Sequence, residues 1–396
     1  MADASRVVLG LGGCVDYELK LTADVLGELV TAYGIKPAEL LAPPAPVADE
    51  RDLVVSILSY VARGAGGEHF VASAPALTAF AERFPHRETL GGTSVRAGLL
   101  MSRLGVPSAL HLVTVNDTFR RLLPSGGDYF SSGTEDTFYP HLIVQYDKGL
   151  RVLGITAPFP NRLIYVNDPA NGAMRLTADL GDRLAKASLF LISGFNAMRD
   201  EAELEDRLVS LQEHMRRLPS DAVTYFEDAA YHEPAFSRRV RDALLDRIDI
   251  YGLNEDELQS YLGRPVDLLS APDVAAALAD LQALIPVPTL VLHTKYWAVA
   301  VGAVDYTSAL DTGTVMAATR YTHGDDFTDD DVECLRGRPR RPSSVAFAAE
   351  LRTLLGEIVD CVPGYALDVE HPTTVGLGDT FVGGFLAALA SAKDNH

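Results

Sequence analysis

The chain has 396 residues, 47% of them apolar and 22% charged, which excludes a single small module, a fibrous repeat and wholesale disorder. Its 54 acidic against 34 basic side chains leave a formal charge of −20, a field that repels phosphate backbones and anionic lipid surfaces and argues against nucleic acid or a membrane as partner. A small anionic ligand stays open, because a local arginine, a metal or a helix terminus outweighs distant charge screened over roughly 8 Å at physiological salt. Cys14, Cys334 and Cys361 form no C-x-x-C pair, so neither a disulfide framework nor a cysteine zinc site is expected. Residues 1–8 lack a basic segment followed by an apolar one, and later apolar runs are broken by Asp280, Pro286 and Pro288. A cytoplasmic location is expected.

In chain order, the first apolar run, 7–11, leads into Gly10-Leu-Gly12-Gly13 and then Asp16, the pattern of a buried strand opening into a ligand-facing turn. A dinucleotide fingerprint needs a further glycine where Val15 stands, which argues against a Rossmann cofactor site. Residues 42–47 are proline-rich and read as a loop, and Leu53, Ile57, Leu58 and Val61 give 52–61 a helical spacing. Runs at 141–146 and 162–166, separated by Gly and Pro, read as antiparallel strands of a small β-rich lid. From 185 onward, apolar runs at 189–193, 223–227, 248–252 and 287–293 alternate with amphipathic stretches at 201–218, 235–247 and 274–284. That alternation predicts a parallel sheet covered on both faces, with ligands beyond the carboxyl ends of its strands. Glu227, Asn254 and the run His293-Thr294-Lys295 stand at such ends; for the last, nucleotide contact and ordinary loop polarity are both open. The acidic run 325–333 lacks the spacing of a calcium loop and reads as a solvated surface.

The strongest chemical signal is Thr373-Thr-Val-Gly376-Leu-Gly378-Asp379-Thr380, followed by the apolar Phe381, Val382, Phe385 and Leu386 of a helix expected to begin near Thr380. Unpaired N–H groups at a helix start hold anionic oxygens, and Asp379 beside them can take the proton of an attacking hydroxyl. Helix capping by Asp379 is the alternative. Asn254-Glu-Asp-Glu257 follows the run 248–252, and Glu227 closes the one before it. Carboxylates converging there suit Mg²⁺, which binds through one or two acids and keeps several waters; capping of the next helix by Asn254 is again the alternative.

Together these motifs resemble the ribokinase-like superfamily, whose usual signature is Asn254-x-x-Glu257 followed by Gly376-x-Gly378-Asp379. Thr224-Tyr-Phe-Glu227, Gly252-Leu-Asn-Glu-Asp-Glu-Leu258, Ala157-Pro-Phe-Pro-Asn-Arg162-Leu-Ile164 and Val375-Gly-Leu-Gly-Asp-Thr380 make the chain most similar to the ADP-dependent glucokinase and phosphofructokinase family, over about 10–385. The resemblance implies an α/β fold, a ribokinase-like three-layer sandwich with a mainly parallel central sheet plus a smaller β-rich lid. The expected partition is a large domain mainly at 42–136 and 185–396 and lid segments at 14–41 and 137–184.

The implied activity is Mg²⁺-dependent transfer of the terminal phosphoryl of ADP to a hexose or hexose phosphate of the glucose or fructose 6-phosphate class. Carried over by motif, Asp379 resembles the general base and the backbone from Gly376 through Gly378 to Asp379 the anion hole. Glu227 and Glu257 resemble the magnesium carboxylates, and Asn254, Thr294 and Gly378 fall at nucleotide-binding places. Asp16, Gly91 and Gly92 resemble the acceptor-holding positions, with Asn161 and Arg162 in the lid. The chain departs from the family where Tyr225 takes the place of a usual histidine and Thr93 that of a glutamine or asparagine. An ATP-using ribokinase-like kinase and a non-catalytic binding protein remain the alternatives. Lys148 and Arg151, if near the acceptor, favour a sugar phosphate. Nothing in the sequence fixes an oligomeric state.

Overall fold

The computed structural model describes residues 6–42, 45–370 and 372–394. Two prolines of the expected loop at 42–47, and most of the N-terminal stretch 1–8, lie outside them. In chain order the strands are β1 (Val7–Leu9), β2 (Cys14–Lys20), β3 (Gly67–Phe70), β4 (His86–Gly91), β5 (Ala109–Leu112), β6 (Asp128–Ser131), β7 (His141–Tyr146), β8 (Arg151–Val152), β9 (Ile155–Thr156), β10 (Asn161–Val166), β11 (Leu189–Ile192), β12 (Val223–Glu227), β13 (Ile250–Asn254), β14 (Thr289–His293), β15 (Trp297–Val301) and β16 (Val359–Pro363).

They form a nine-stranded sheet in the order β16-β15-β14-β13-β12-β11-β1-β5-β6, a five-stranded sheet in the order β3-β10-β7-β2-β4, and the hairpin β8-β9. The large sheet is parallel from β6 to β14, and β15 and β16 join it antiparallel. Its central strands, β11 and β14 among them, are short and buried on both faces, as parallel strands under two helical layers must be. One apolar cluster fills the layer around Leu9, Val291 and Phe385, and a second the layer around Phe190, Tyr251 and Trp297. No helix among the described residues is long and apolar enough to cross a membrane.

The runs at 189–193, 223–227 and 287–293 fall on β11, β12 and β14, and the run at 248–252 starts its strand two residues late. The three amphipathic stretches become helices Glu201–Met215, Pro234–Leu244 and Ala271–Leu284, two of them opened by a proline in the first turn.

The partition of the chain differs from the expected one. Strands β3 and β4, within 42–136, belong to the small sheet, and helix Ala74–Ala81 packs on β7 and β10. Helix Ala178–Leu184, placed in the lid from the sequence, packs on Glu201–Met215 of the large layer. The physical reason is that Gly67-Glu-His-Phe70 and His86-Arg-Glu-Thr89 are too polar to read as strands, being half-exposed members of a sheet wet on one side.

Alternation sets the two faces of this sheet. Val15, Tyr17, Leu19, Leu142, Val144, Tyr146, Leu163 and Tyr165 enter the apolar cluster beneath helices Ala23–Tyr33 and Glu50–Arg63. Cys14, Asp16, Glu18, His141, Gln145 and Arg162 therefore point the other way, toward the large domain.

In β5 of the large sheet, His111 is fully buried against Phe130, with no hydrogen-bond partner on either ring nitrogen. Burial pushes its pKa down to about 4. Between the ordinary histidine value near 6.5 and that level, the unfolded chain binds a proton that the native one refuses. Stability is therefore full above this window and falls as pH drops through it, by on the order of 3 kcal/mol. Melting temperatures recorded from pH 7 to pH 4 should decline less steeply in His111→Leu than in the wild type.

Candidate functional site

The site forms where the carboxyl ends of β12, β13 and β14 face the start of the last helix, with the polar face of the small sheet above. That helix runs Leu377–Asp394, so it begins three residues earlier than the sequence suggests, and Gly376 precedes it with φ 67. A Cβ on Gly376 would lie 2.9 Å from the Arg96 guanidinium, so glycine satisfies both the left-handed backbone and the close approach. The carbonyl of Gly376 accepts the N–H of Thr380 at 3.0 Å and its hydroxyl at 2.7 Å. The N–H groups of Leu377, Gly378 and Asp379 are thereby left as the orphan donors of the first turn.

Asp379 is the third residue of the helix. Its Oδ1 accepts the Thr93 hydroxyl at 2.8 Å, and Arg96 Nε lies 3.7 Å from Oδ2. Arg96 also reaches into the small sheet, donating to Asp16 at 2.7 Å and Glu18 at 3.0 Å. Asp16 is buried beside the Cys14 thiol, 3.2 Å away, and His141, whose Nδ1 lies 4.0 Å off while its Nε2 faces Asp168 at 3.3 Å. Gly91 and Gly92 serve this arrangement through their lack of side chain. A Cβ on Gly91 would overlap the Asp16 carboxylate, and Gly92, with φ 89, opens helix Thr93–Arg103, which carries Thr93 and Arg96.

The second cluster is acidic. Glu227 ends β12; its Oε2 accepts the Tyr225 hydroxyl at 3.1 Å and its Oε1 the Nε2–H of His293 at 2.8 Å. A side chain at Gly252 on the neighbouring strand would overlap both Glu227 and Tyr225, so the glycine leaves the gap through which they reach across. Asn254 caps helix Glu255–Leu262, accepting from Asp256 N at 2.7 Å and Glu257 N at 3.2 Å, while Glu257 accepts the N–H of Asn254 at 2.7 Å. Capping and an acidic cluster thus coexist on the same residues.

Burial, reinforced by the charges of Asp228 and Glu227, pushes Glu257 up to about 8 despite the backbone N–H it holds. Burial also raises Glu255. Burial opposes charge on His293, yet Glu227 and the more distant Glu257 and Glu255 raise it overall. Asp228 is fixed behind them by the hydroxyls of Tyr251 at 2.7 Å and Tyr261 at 2.6 Å. Buried carboxylate oxygens are the hard donors that a small divalent cation takes, which makes Glu227 and Glu257 candidates to hold Mg²⁺; among the described residues, the ligand atoms that lie within 4.8 Å of one another are those of Cys14, Asp16 and His141.

The remaining expectations divide. Arg162 lies on the site-facing side of the small sheet, close enough to feel Asp379, Asp256 and Glu68, and burial lowers its pKa. Asn161 is turned away: its amide donates to Gly64 O at 3.1 Å and accepts from Arg162 N at 2.9 Å, fixing the start of β10 rather than an acceptor. Thr294 is used locally too. Its hydroxyl donates to Trp297 O at 2.9 Å and accepts from Tyr296 N and Trp297 N at 3.1 Å, closing the β14-β15 hairpin, so no free donor is left for a nucleotide.

Lys148 and Arg151 flank or lie in the β8-β9 hairpin, which packs on Ala23–Tyr33 and Glu50–Arg63, the far side of the small sheet from Asp379. Asp325, read as solvated, instead pairs with Arg87 of the small sheet and Arg320 of the large domain. Arg96, Arg320 and Glu18 belong to the site without having been singled out for it, while His293, expected only as a strand-end contact, and Thr93, noted as a departure from the family, take their places in it. A charged residue at a buried helical position marks Arg96 and Arg320, and polar alternation with Val15, Tyr17 and Leu19 marks Glu18.

A mainly parallel sheet between two helical layers, a lid sheet over its carboxyl edge and a glycine-preceded helix start holding an acid define the ribokinase-like architecture. A model of the ADP-specific phosphofructokinase/glucokinase conserved region matches residues 5–339, and the chain belongs to that family. Glu227, Asn254 and Glu257 fall within the matched span; Gly376 and Asp379 follow it.

The chain is 23% identical over 262 residues to ADP-dependent glucokinase of Bos taurus, covering 64% of this chain and 52% of that protein. It is 26% identical over 191 residues to ADP-dependent glucose/glucosamine kinase of Pyrococcus abyssi, covering 43% and 42%. It thus spans about half the length of these relatives. A crystal structure of a hypothetical ADP-dependent phosphofructokinase from Pyrococcus horikoshii OT3 superposes with a TM-score of 0.75 at 19% identity over 99% of both chains.

Gly376→Ala places a side chain in left-handed backbone against Arg96. It should cost about 2 kcal/mol or more in urea unfolding, from the conformation and the crowding together.

Proposed function

We propose that the protein is a sugar kinase that transfers the terminal phosphoryl of ADP to a hydroxyl of a hexose or hexose phosphate, releasing AMP. The observation that carries this reading is Asp379: a carboxylate on the first helical turn, next to orphan N–H donors, tied by Thr93 and Arg96 to the lid strand that presents Asp16. Family membership and the names of the relatives favour ADP as donor.

In this reading an acceptor hydroxyl lies against Asp16 and Asp379. Asp379 takes its proton as the oxygen attacks, and the N–H groups of Leu377, Gly378 and Asp379 hold the oxygens of the phosphoryl group in transit. Hydrogen bonds from Thr93 and the charge of Arg96 fix the carboxylate, so little reorganisation is needed when it accepts the proton. Arg162, reaching down from the lid, adds positive charge where negative charge accumulates. Glu227 and Glu257, with Glu255 and Asp228 near them, would hold Mg²⁺, which supplies charge neutralisation to the nucleotide phosphates. Closing the small sheet over the site keeps water from competing with the sugar hydroxyl.

The test is incubation with Mg²⁺ and a panel of hexoses and hexose phosphates, with ADP or ATP supplied separately and AMP and ADP quantified. AMP formed from ADP in the presence of one sugar supports the reading. ADP formed only from ATP replaces it with an ATP-using ribokinase-like kinase, and ligand binding without turnover replaces it with a binding protein. Asp379→Asn should lower kcat by about 10² to 10⁴ while sugar and nucleotide binding, measured by calorimetry, stay near wild type.

A further inference from the structure

His293 touches both halves of the machinery just described. Its Nε2 lies 2.8 Å from Glu227 Oε1, and both residues are 8% exposed. A carboxylate only accepts, so the proton sits on Nε2 and is donated to Glu227. The ring carbon next to that nitrogen faces the start of the last helix: a Cβ on Gly378 would stand 3.2 Å from His293 Cε1. Phe381, one turn further on, packs on the imidazole with ring centroids 4.7 Å apart at 32°.

Since Tyr225 holds Oε2 at 3.1 Å, both oxygens of Glu227 are fixed in direction, and each keeps a second lone pair for a cation. Two strands and a helix therefore meet on one ring: β12 through Glu227, β14 through His293 itself, and Leu377–Asp394 through Gly378 and Phe381.

We propose that His293 is a positioning residue that aims the Glu227 carboxylate at the divalent cation and seats the Gly378 backbone beside it, coupling metal affinity to the phosphoryl-holding turn. The inference rests on the kinase reading above. It separates His293 from a residue that merely fills space, because the imidazole both packs against Phe381 and donates from Nε2, and the two roles can be removed one at a time.

His293→Met keeps an apolar side chain of similar length without a donor, and His293→Gln keeps an N–H at a similar reach. With folding checked by thermal melts, His293→Met should raise the Mg²⁺ concentration for half-maximal turnover by about 10- to 100-fold, the usual effect of losing a hydrogen bond behind a metal ligand. It should also lower kcat and leave the KM for the sugar unchanged, and His293→Gln should recover most of the loss. A readout independent of activity is Mn²⁺ binding in the presence of ADP, followed by the free-ion electron paramagnetic resonance signal. There His293→Met should bind more weakly by a similar factor.

If His293→Met does not fold, the wild type supplies the test. The His293 ring ¹⁵N resonance, identified by its loss in His293→Gln, should broaden when Mn²⁺ and ADP are added and not with ADP alone. Unchanged Mn²⁺ affinity and Mg²⁺ dependence in a folded His293→Met, or an unbroadened His293 resonance at saturating Mn²⁺, overturns the inference. A wild type that forms no AMP from ADP overturns the kinase reading instead, and the Mn²⁺ titration still decides whether His293 orients a metal ligand.

Discussion

A guanidinium taken out of water must be surrounded by acceptors, and Arg96, only 6% exposed, meets that demand with acids from the small sheet and from the last helix. Asp16 and Glu18 come from β2 of the lid, and Asp379 from the final helix of the large domain. Nearly every feature of this part of the site follows from that one buried charge. Gly91 lacks a side chain so that Asp16 can lie flat toward the arginine, Gly376 lacks one so that the loop can pass over it, and the helix Thr93–Arg103 starts at Gly92 so that Thr93 and Arg96, nearly one turn apart, face the same carboxylate.

The acidic cluster at the ends of β12 and β13 obeys a different rule. Acids that repel one another are held together by donors placed behind them: Tyr225 and His293 for Glu227, the Asn254 N–H for Glu257, Tyr251 and Tyr261 for Asp228. The energetic cost of gathering such charges is offset locally, residue by residue, by the protein's own donors. At position 225 the side chain that reaches Glu227 is a phenol, and an imidazole meets the same carboxylate from a strand two places away.

Much of the large sheet was legible because buried parallel strands are uninterrupted apolar runs, and 189–193, 223–227 and 287–293 are short, apolar and bounded by polar residues. The acids at their ends were legible for the same reason, since position in a parallel sheet fixes which end is functional. The lid was less so. Its strands β3 and β4 carry Glu68, His69, Arg87 and Glu88, and polarity of that degree in a half-exposed strand looks like loop. Asn161 and Thr294 misled because a polar side chain beside a motif has local backbone to bind, and both do so. Arg96 and Asp325, and the partner of His293, were hidden for a deeper reason. Their meaning lies in partners that stand 80 and 66 positions away for Arg96 and His293, a separation that only the folded chain collapses.

The chain passes between the two sheets four times, at 10–13, at 92, across 132–140 and after 166, and the strand register brings all four passages to the same end of the small sheet. Two of them touch directly: a Cβ on Gly92 would stand 3.0 Å from the Cα of Gly13. These passages define a pivot line. A rigid rotation about a line scarcely displaces what lies on it and sweeps what lies far from it. Cys14, Asp16, Gly91 and His141 sit beside the line, whereas Arg162 and Gln145, the latter 3.5 Å from Thr374 of the large domain, sit toward the opposite end of their strands. Asp16 accordingly lies near the fulcrum of any such rotation and Arg162 far from it, so a turn of the small sheet would leave the first nearly in place and move the second most.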